Sequence, residues 1–146
     1  MVYIRAEVEV RPTEDEFKVR QALKNVIEFD TIRSIEVRKG YRVLIAESRN
    51  INALAKIYEL ARRQRILDTL RNVLMKRARE GAIVIKLNKQ AAYQGVLSLV
   101  DTDDESQLGA ITITIVSDKL DEIIDWLAPR TSRGRPIWER EAPRDA

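Results

Sequence analysis

Apolar and polar positions separate most clearly between Gln64 and Gly95, and the rest of the chain is read around that stretch. From Gln64 to Arg79, residues Ile66, Leu67, Leu70, Val73 and Leu74 fill one arc at about 100° per residue, the face a core-packed helix buries. Arg62, Arg65, Thr69, Asn72, Lys76 and Arg79 fall on the far side at spacings of three and four, with no acid among them. Gly81 then marks a turn and Ala82 to Leu87 reads as a strand. Asn88 to Gly95 is a polar turn longer than a simple hairpin requires.

The flanking elements follow the same logic. Val2, Ile4, Ala6, Val8 and Val10 alternate with Tyr3, Arg5, Glu7 and Glu9, the signature of a half-buried strand. Pro12 ends it, and Thr13 with Glu16 forms a capping box for a helix whose apolar stripe is Phe17, Leu23, Val26 and Ile27. Strands Ile32 to Val37 and Tyr41 to Glu47 are joined at Lys39-Gly40 as a hairpin. Asn50 or Asn52 caps a second helical stretch built on Ile51, Leu54, Ala55, Tyr58 and Leu60. Arg63 projects towards the buried arc of the next helix, which favours a bend near residues 61–64 and two helices rather than one. Val96 to Val100 and Ala110 to Val116 are further strands. Ser117 caps a last helix, Asp118 to Leu127, with Leu120, Ile123, Ile124 and Leu127 inward and Asp118, Asp121 and Glu122 at its positive end. Runs of adjacent strands imply an α+β fold, a mainly antiparallel sheet with helices packed on one face. Residues 1–128 read as one domain and 129–146 as a Pro/Arg-rich C-terminal tail.

Composition narrows the chemistry. The 146 residues are 45% hydrophobic and 34% charged, the balance of a folded chain. There is no Cys and no His, so Ser-His-Asp triads, Cys-His pairs and the usual zinc sites cannot be built. No Gly-rich loop links a strand to a helix, so no nucleotide cofactor is signalled, and no cofactor or metal is expected. The start carries charge early, unlike a signal peptide, and no apolar run reaches the roughly 18 residues of a membrane span, so a cytoplasmic, soluble protein is expected. Abundant Ile, Val, Arg and Glu with few Asn and Gln suggests a thermophilic source.

Net charge is only +3, but residues 51–80 hold eight Lys or Arg against three acids, and residues 101–128 hold eight acids against Lys119. Such a dipolar surface steers polyanions to one end. Two readings of the basic helix face stand: a solvated surface, or a phosphate-binding ridge. The acidic loop Asp101, Asp103, Asp104 and Glu105 lacks the turn glycine of a calcium site, with Ser106 in its place, and reads as a solvated connection. Asp121 and Asp125 read as an exposed helix face. In the polar turn, Lys89, Gln90 and Tyr93 set a cation, an amide and a ring together. That combination suits single-stranded RNA, and the alternative is a helical turn with Tyr93 in the core. Arg130, Arg133 and Arg135 form either a phosphate-reaching arm or a tail kept soluble by charge. Trp126 and Trp138 read as packing anchors.

Several motifs occur together. Gln64-Arg65-Ile66-Leu67-Asp68, Leu87-Asn88-Lys89-Gln90-Ala91-Ala92, Leu108-Gly109 and Ile124-Asp125-Trp126-Leu127-Ala128-Pro129-Arg130-Thr131 with Gly134 and Pro136 span most of the chain. In these motifs the chain resembles the archaeal uncharacterised protein family 0201. The resemblance implies a fold similar to the large-subunit ribosomal protein that holds 5S rRNA, often paired as a homodimer, with RNA binding inferred by fold analogy. Together the residues and the resemblance lead us to expect a non-catalytic RNA-binding module. Its contacts would be Arg62, Arg65, Lys76, Arg79, Lys89, Gln90, Tyr93, Arg130, Arg133 and Arg135. The rival is a dimeric interaction module without nucleic acid.

Overall fold

Strand alternation in the sequence becomes a single sheet with one sealed face. The computed structural model describes residues 1–102, 105 and 108–144; Asp103, Asp104 and Ser106 of the acidic loop lie outside the described residues. In chain order the elements are β1 (Val2–Val10), α1 (Glu16–Val26), β2 (Thr31–Arg38), β3 (Tyr41–Ser48), a 3-10 turn (Ile51–Leu54), α2 (Ala55–Arg63) and α3 (Leu67–Arg77). Then come β4 (Ala78–Arg79), β5 (Ala82–Asn88), α4 (Lys89–Tyr93), β6 (Leu99–Val100), β7 (Ala110–Ser117), α5 (Leu120–Leu127), β8 (Thr131–Ser132) and β9 (Arg135–Pro136). The sheet order is β2-β3-β1-β7-β5-β4, with β6 beside β5, and every strand pair is antiparallel. This is the α+β class that the adjacent strand runs imply.

Register keeps like with like. Ile4 pairs with Ile115 and Ala6 with Ile113, while Ile83 and Ile85 face Ile115 and Ile113 across the next ladder. These side chains point to the helix side with Leu44, Leu54, Ile57, Leu70, Leu74, Ile123 and Leu127, forming one buried cluster. Truncating one of its fully buried leucines, for instance Leu70→Ala, should cost about 2–5 kcal/mol.

Several boundaries differ from the sequence pattern for local reasons. Asp15, not the Thr13–Glu16 box, caps α1 by accepting from the Phe17 amide at 2.9 Å. Phe17 stays 73% exposed and Val19 takes its place in the core. Asn50 caps the 3-10 turn. The bend between the basic helices is real: Arg65 adopts φ 57°, which ends α2 before α3 begins. Arg79 belongs to edge strand β4 rather than to the helix, and the strand expected at 96–100 contracts to Leu99–Val100. Ser117 accepts from the Lys119 amide at 3.0 Å, and α5 starts just beyond. The polar turn is the five-residue helix α4, capped by Asn88 through the Ala91 amide at 2.8 Å.

Candidate nucleic-acid interface

The basic residues divide into two groups. Arg65 sits in the α2–α3 turn, Lys76 on the outer face of α3 and Arg79 on β4, all exposed. Arg130 leads into the hairpin β8–β9, whose turn, Arg133 at φ 54° and Gly134 at φ 79°, leaves Arg133 and Arg135 in solvent. The Ile137 amide closes back on the Arg130 carbonyl at 2.9 Å. Arg130 and Thr131 share a surface depression with Asn72 and Met75 of α3, and Thr131 hydrogen-bonds Asp68. Lys76 and Arg79 line a second depression with Arg77, Ala82 and Val84. Among the described residues, no carboxylate lies within ion-pair range of Arg65, Lys76, Arg79, Arg130, Arg133 or Arg135.

The second group is engaged inside the molecule, and it includes two of the expected contacts, Arg62 and Lys89. Arg62 pairs with Glu139 at 2.7 Å, donates to the carbonyls of Tyr58, Leu127 and Trp126, and lies 3.4 Å over the Tyr58 ring. These partners hold the guanidinium against the end of α5 and the tail. Lys89 is 3% exposed, with Nζ 2.8 Å from the Glu9 carbonyl and 3.0 and 3.1 Å from the Glu14 carboxylate oxygens. Burial pulls its ammonium below the usual lysine range, and the Glu14 carboxylate opposes that shift. Lys89 is a structural cation that ties α4 to the end of β1.

The tail beyond the β8–β9 hairpin is tied to the domain through Trp138, Glu139 and Arg140. Asp125, expected on an exposed helix face, is a hub. Its carboxylate accepts from Arg71 and from Arg140, each at 3.0 Å, and its carbonyl accepts from the Trp138 indole at 3.1 Å. Trp126 stacks on Tyr58 with ring centroids 5.3 Å apart. Gln64 acts as a surrogate peptide group, donating to the Leu97 carbonyl and accepting from the Leu97 amide, both at 2.8 Å. Periodicity could not reveal this role; only the position of Gln64 in a shared motif hinted at one.

Gln90 and Tyr93 lie elsewhere, on a cleft of about 450 Å³ between α1 and α4. Both are exposed, so the Tyr93 ring is not a core side chain. The structure therefore separates the expected contacts into a ridge along α3, β4 and the hairpin, and a cleft holding Gln90 and Tyr93.

Among the described residues, no helix packs on the sheet face opposite the helical layer. Exposed Ile35, Val84 and Val116 and half-buried Val43 stand there among Arg5, Glu7, Glu47 and Thr114. Arg5 lies 2.8 Å from Glu7, and Tyr3 donates to Glu47 at 2.5 Å.

This architecture recurs in solved structures. A UPF0201 protein from Methanococcus jannaschii superposes with a TM-score of 0.81 at 34% identity, covering 92% of this chain and 98% of that one. A relative from Metallosphaera sedula, also a UPF0201 protein, is 42% identical over 99% of this chain and all of its own length. Another, from Aeropyrum pernix, is 46% identical over 97% of this chain and 95% of its own. The chain belongs to the UPF0201 family. A family model described as RNA binding matches residues 3–117 of this UPF0201 chain. That segment runs from β1 to the end of β7 and includes the basic face of α3 and helix α4; α5 and the arginine hairpin lie beyond it. No helix among the described residues is long and apolar enough to cross a membrane.

Proposed function

We propose that this UPF0201 protein is a non-catalytic, cytoplasmic RNA-binding protein that grips structured RNA by its phosphates. The observation that carries the reading is the ridge: Arg65, Lys76, Arg79, Arg130, Arg133 and Arg135 lack carboxylate partners among the described residues, whereas Arg62, Arg71, Arg77 and Lys89 each have one. Unneutralised, solvated cations can release counterions from a polyanion, and that release dominates such binding. The family description supports the same direction. Binding of ribosomal or transfer RNA measured across salt concentrations tests it. A log–log slope of about −0.7 to −0.9 per phosphate contact is expected. No binding at low salt refutes it.

The open sheet face favours a homodimer as the unit that binds. Val84, Val116 and Ile35 are the apolar positions a second copy would cover, and Val84 borders the depression that Lys76 and Arg79 line, so the subunit contact would lie beside that part of the ridge. Sedimentation equilibrium reads the mass directly, and a monomer at tens of micromolar would sink this part. Were the dimer to form with no RNA affinity, the protein would act as an interaction module alone.

A further inference from the structure

We infer that the cleft between α1 and α4 receives a single unstacked nucleobase, read on its hydrogen-bonding edge by Gln90 and Gln94 and stacked on Tyr93. This deepens the RNA reading at a place separate from the ridge. Val19 and Ala22 of α1 and Lys89, Gln90, Tyr93 and Gln94 at α4 are among the residues that line the cleft.

Three features fix the ligand class. The first is charge. Lys89 is neutralised by Glu14 in a buried pair, and the remaining formal charges, Lys18 and Asp15, are one of each sign. A cleft without net charge has no preference for phosphate, and it suits a neutral group that is polar at its edge. The second is shape and polarity. Val19 and Ala22 are buried apolar residues of α1 and give the cleft an apolar wall, and Tyr93 contributes a partly exposed ring. Flat aromatic bases stack on such rings in single-stranded recognition.

The third feature is unspent hydrogen bonding. Gln90 and Gln94 are four residues apart, one helical turn, so both amides meet the same cleft. Neither side-chain amide has a partner among the described residues, whereas Gln64, the amide used structurally, is satisfied on both atoms. A glutamine amide offers the donor and acceptor that match the adenine edge in bidentate fashion. The platform is also held in place. Asn25 of α1 donates to the carbonyls of Ala92 and Tyr93 at 3.0 and 3.1 Å, fixing the end of α4 against α1.

Nuclear magnetic resonance of the full-length protein, titrated with adenosine and separately with an eight-nucleotide oligoadenylate RNA, tests the inference. Adenosine should shift the side-chain amide signals of Gln90 and Gln94 and the ring signals of Tyr93. Gln90→Ala with Gln94→Ala should weaken oligoadenylate binding about tenfold with an unchanged melting temperature. Tyr93→Phe should retain binding and Tyr93→Ala should lose it. Unmoved Gln90 and Gln94 signals at millimolar adenosine, with wild-type RNA affinity in the double variant, overturn the inference and leave ridge binding untouched. Adenosine bound in the cleft without any RNA affinity would keep the inference, name a free nucleoside or nucleotide as the source of the base, and refute the RNA reading instead.

Discussion

Lys89 offers the sharpest separation between the sequence pattern and the structure. As an exposed phosphate contact it would be dispensable for stability, and its loss would reduce RNA affinity. Placed 3.0 Å from Glu14 with both side chains almost wholly covered, it should behave the opposite way. Lys89→Met removes the ammonium, roughly preserves the stem volume, and leaves the Glu14 carboxylate buried without its cation. Breaking a buried pair from one side costs about 3–5 kcal/mol, because the remaining charge stays desolvated. For a domain of this size that is a fall of roughly 6–20 °C in melting temperature. Urea unfolding gives the free energy directly, and the double variant Lys89→Met with Glu14→Leu should recover most of the loss, since two apolar groups can replace the pair. The salt slope of RNA binding should not change. A loss under about 1 kcal/mol for Lys89→Met, or a slope reduced by one contact, would refute the structural assignment. The pH dependence has a definite sign. Burial holds the folded pKa of Lys89 below its ordinary 10.5, so the unfolded chain binds more protons in the window between the two. Wild-type stability should therefore rise relative to Lys89→Met as pH climbs through that alkaline window.

Other expectations are more direct. Lys76→Ala with Arg79→Ala should leave the melting temperature within a few degrees and lower the salt slope of RNA binding by about two contacts; an unchanged slope would remove the ridge from the interface. Arg62→Ala should cost about 2 kcal/mol, through lost charge-assisted hydrogen bonds and ring stacking. It should also speed proteolysis of the segment after Pro129, as mass spectrometry of early fragments would show. Val116→Lys with Val84→Lys should shift sedimentation towards the monomer, and a persistent dimer would place the subunit contact elsewhere.

Elements with a long, regular period were legible in the sequence. β1 alternates without exception from Val2 to Val10, and Leu67, Leu70 and Leu74 form the inward face of α3 as their spacing requires. The bend before α3 was legible too, because Arg63 could not share the buried arc. What pattern could not supply was the destination of each charge. Arg62 and Lys76 lie on the same basic stripe, yet Arg62 meets Glu139, 77 residues away in sequence, and Lys76 meets solvent. Lys89 sits four residues before Tyr93 in a polar turn, and only the return of β1 alongside brings Glu9 and Glu14 to it. Ion pairs of that sequence separation depend on tertiary topology, which hydrophobic periodicity does not encode. The arginines of the tail were sorted by the same cause. Arg140 is drawn to Asp125, while Arg133 and Arg135 are held outward by the β8–β9 turn.

The two borders of the sheet are guarded in different ways. β2 carries Arg33, Glu36 and Arg38 and an irregularity between Glu36 and Arg38, while β5 is flanked by two short pieces, β4 and β6, that cover its ends. The β5 border offers no long flat template for another chain to extend, and the charges and register shift of β2 disfavour one at the other border. Self-association by strand addition, the route to filaments, is thereby disfavoured relative to contact through faces, where a twofold contact closes on itself and growth stops at a defined number of subunits.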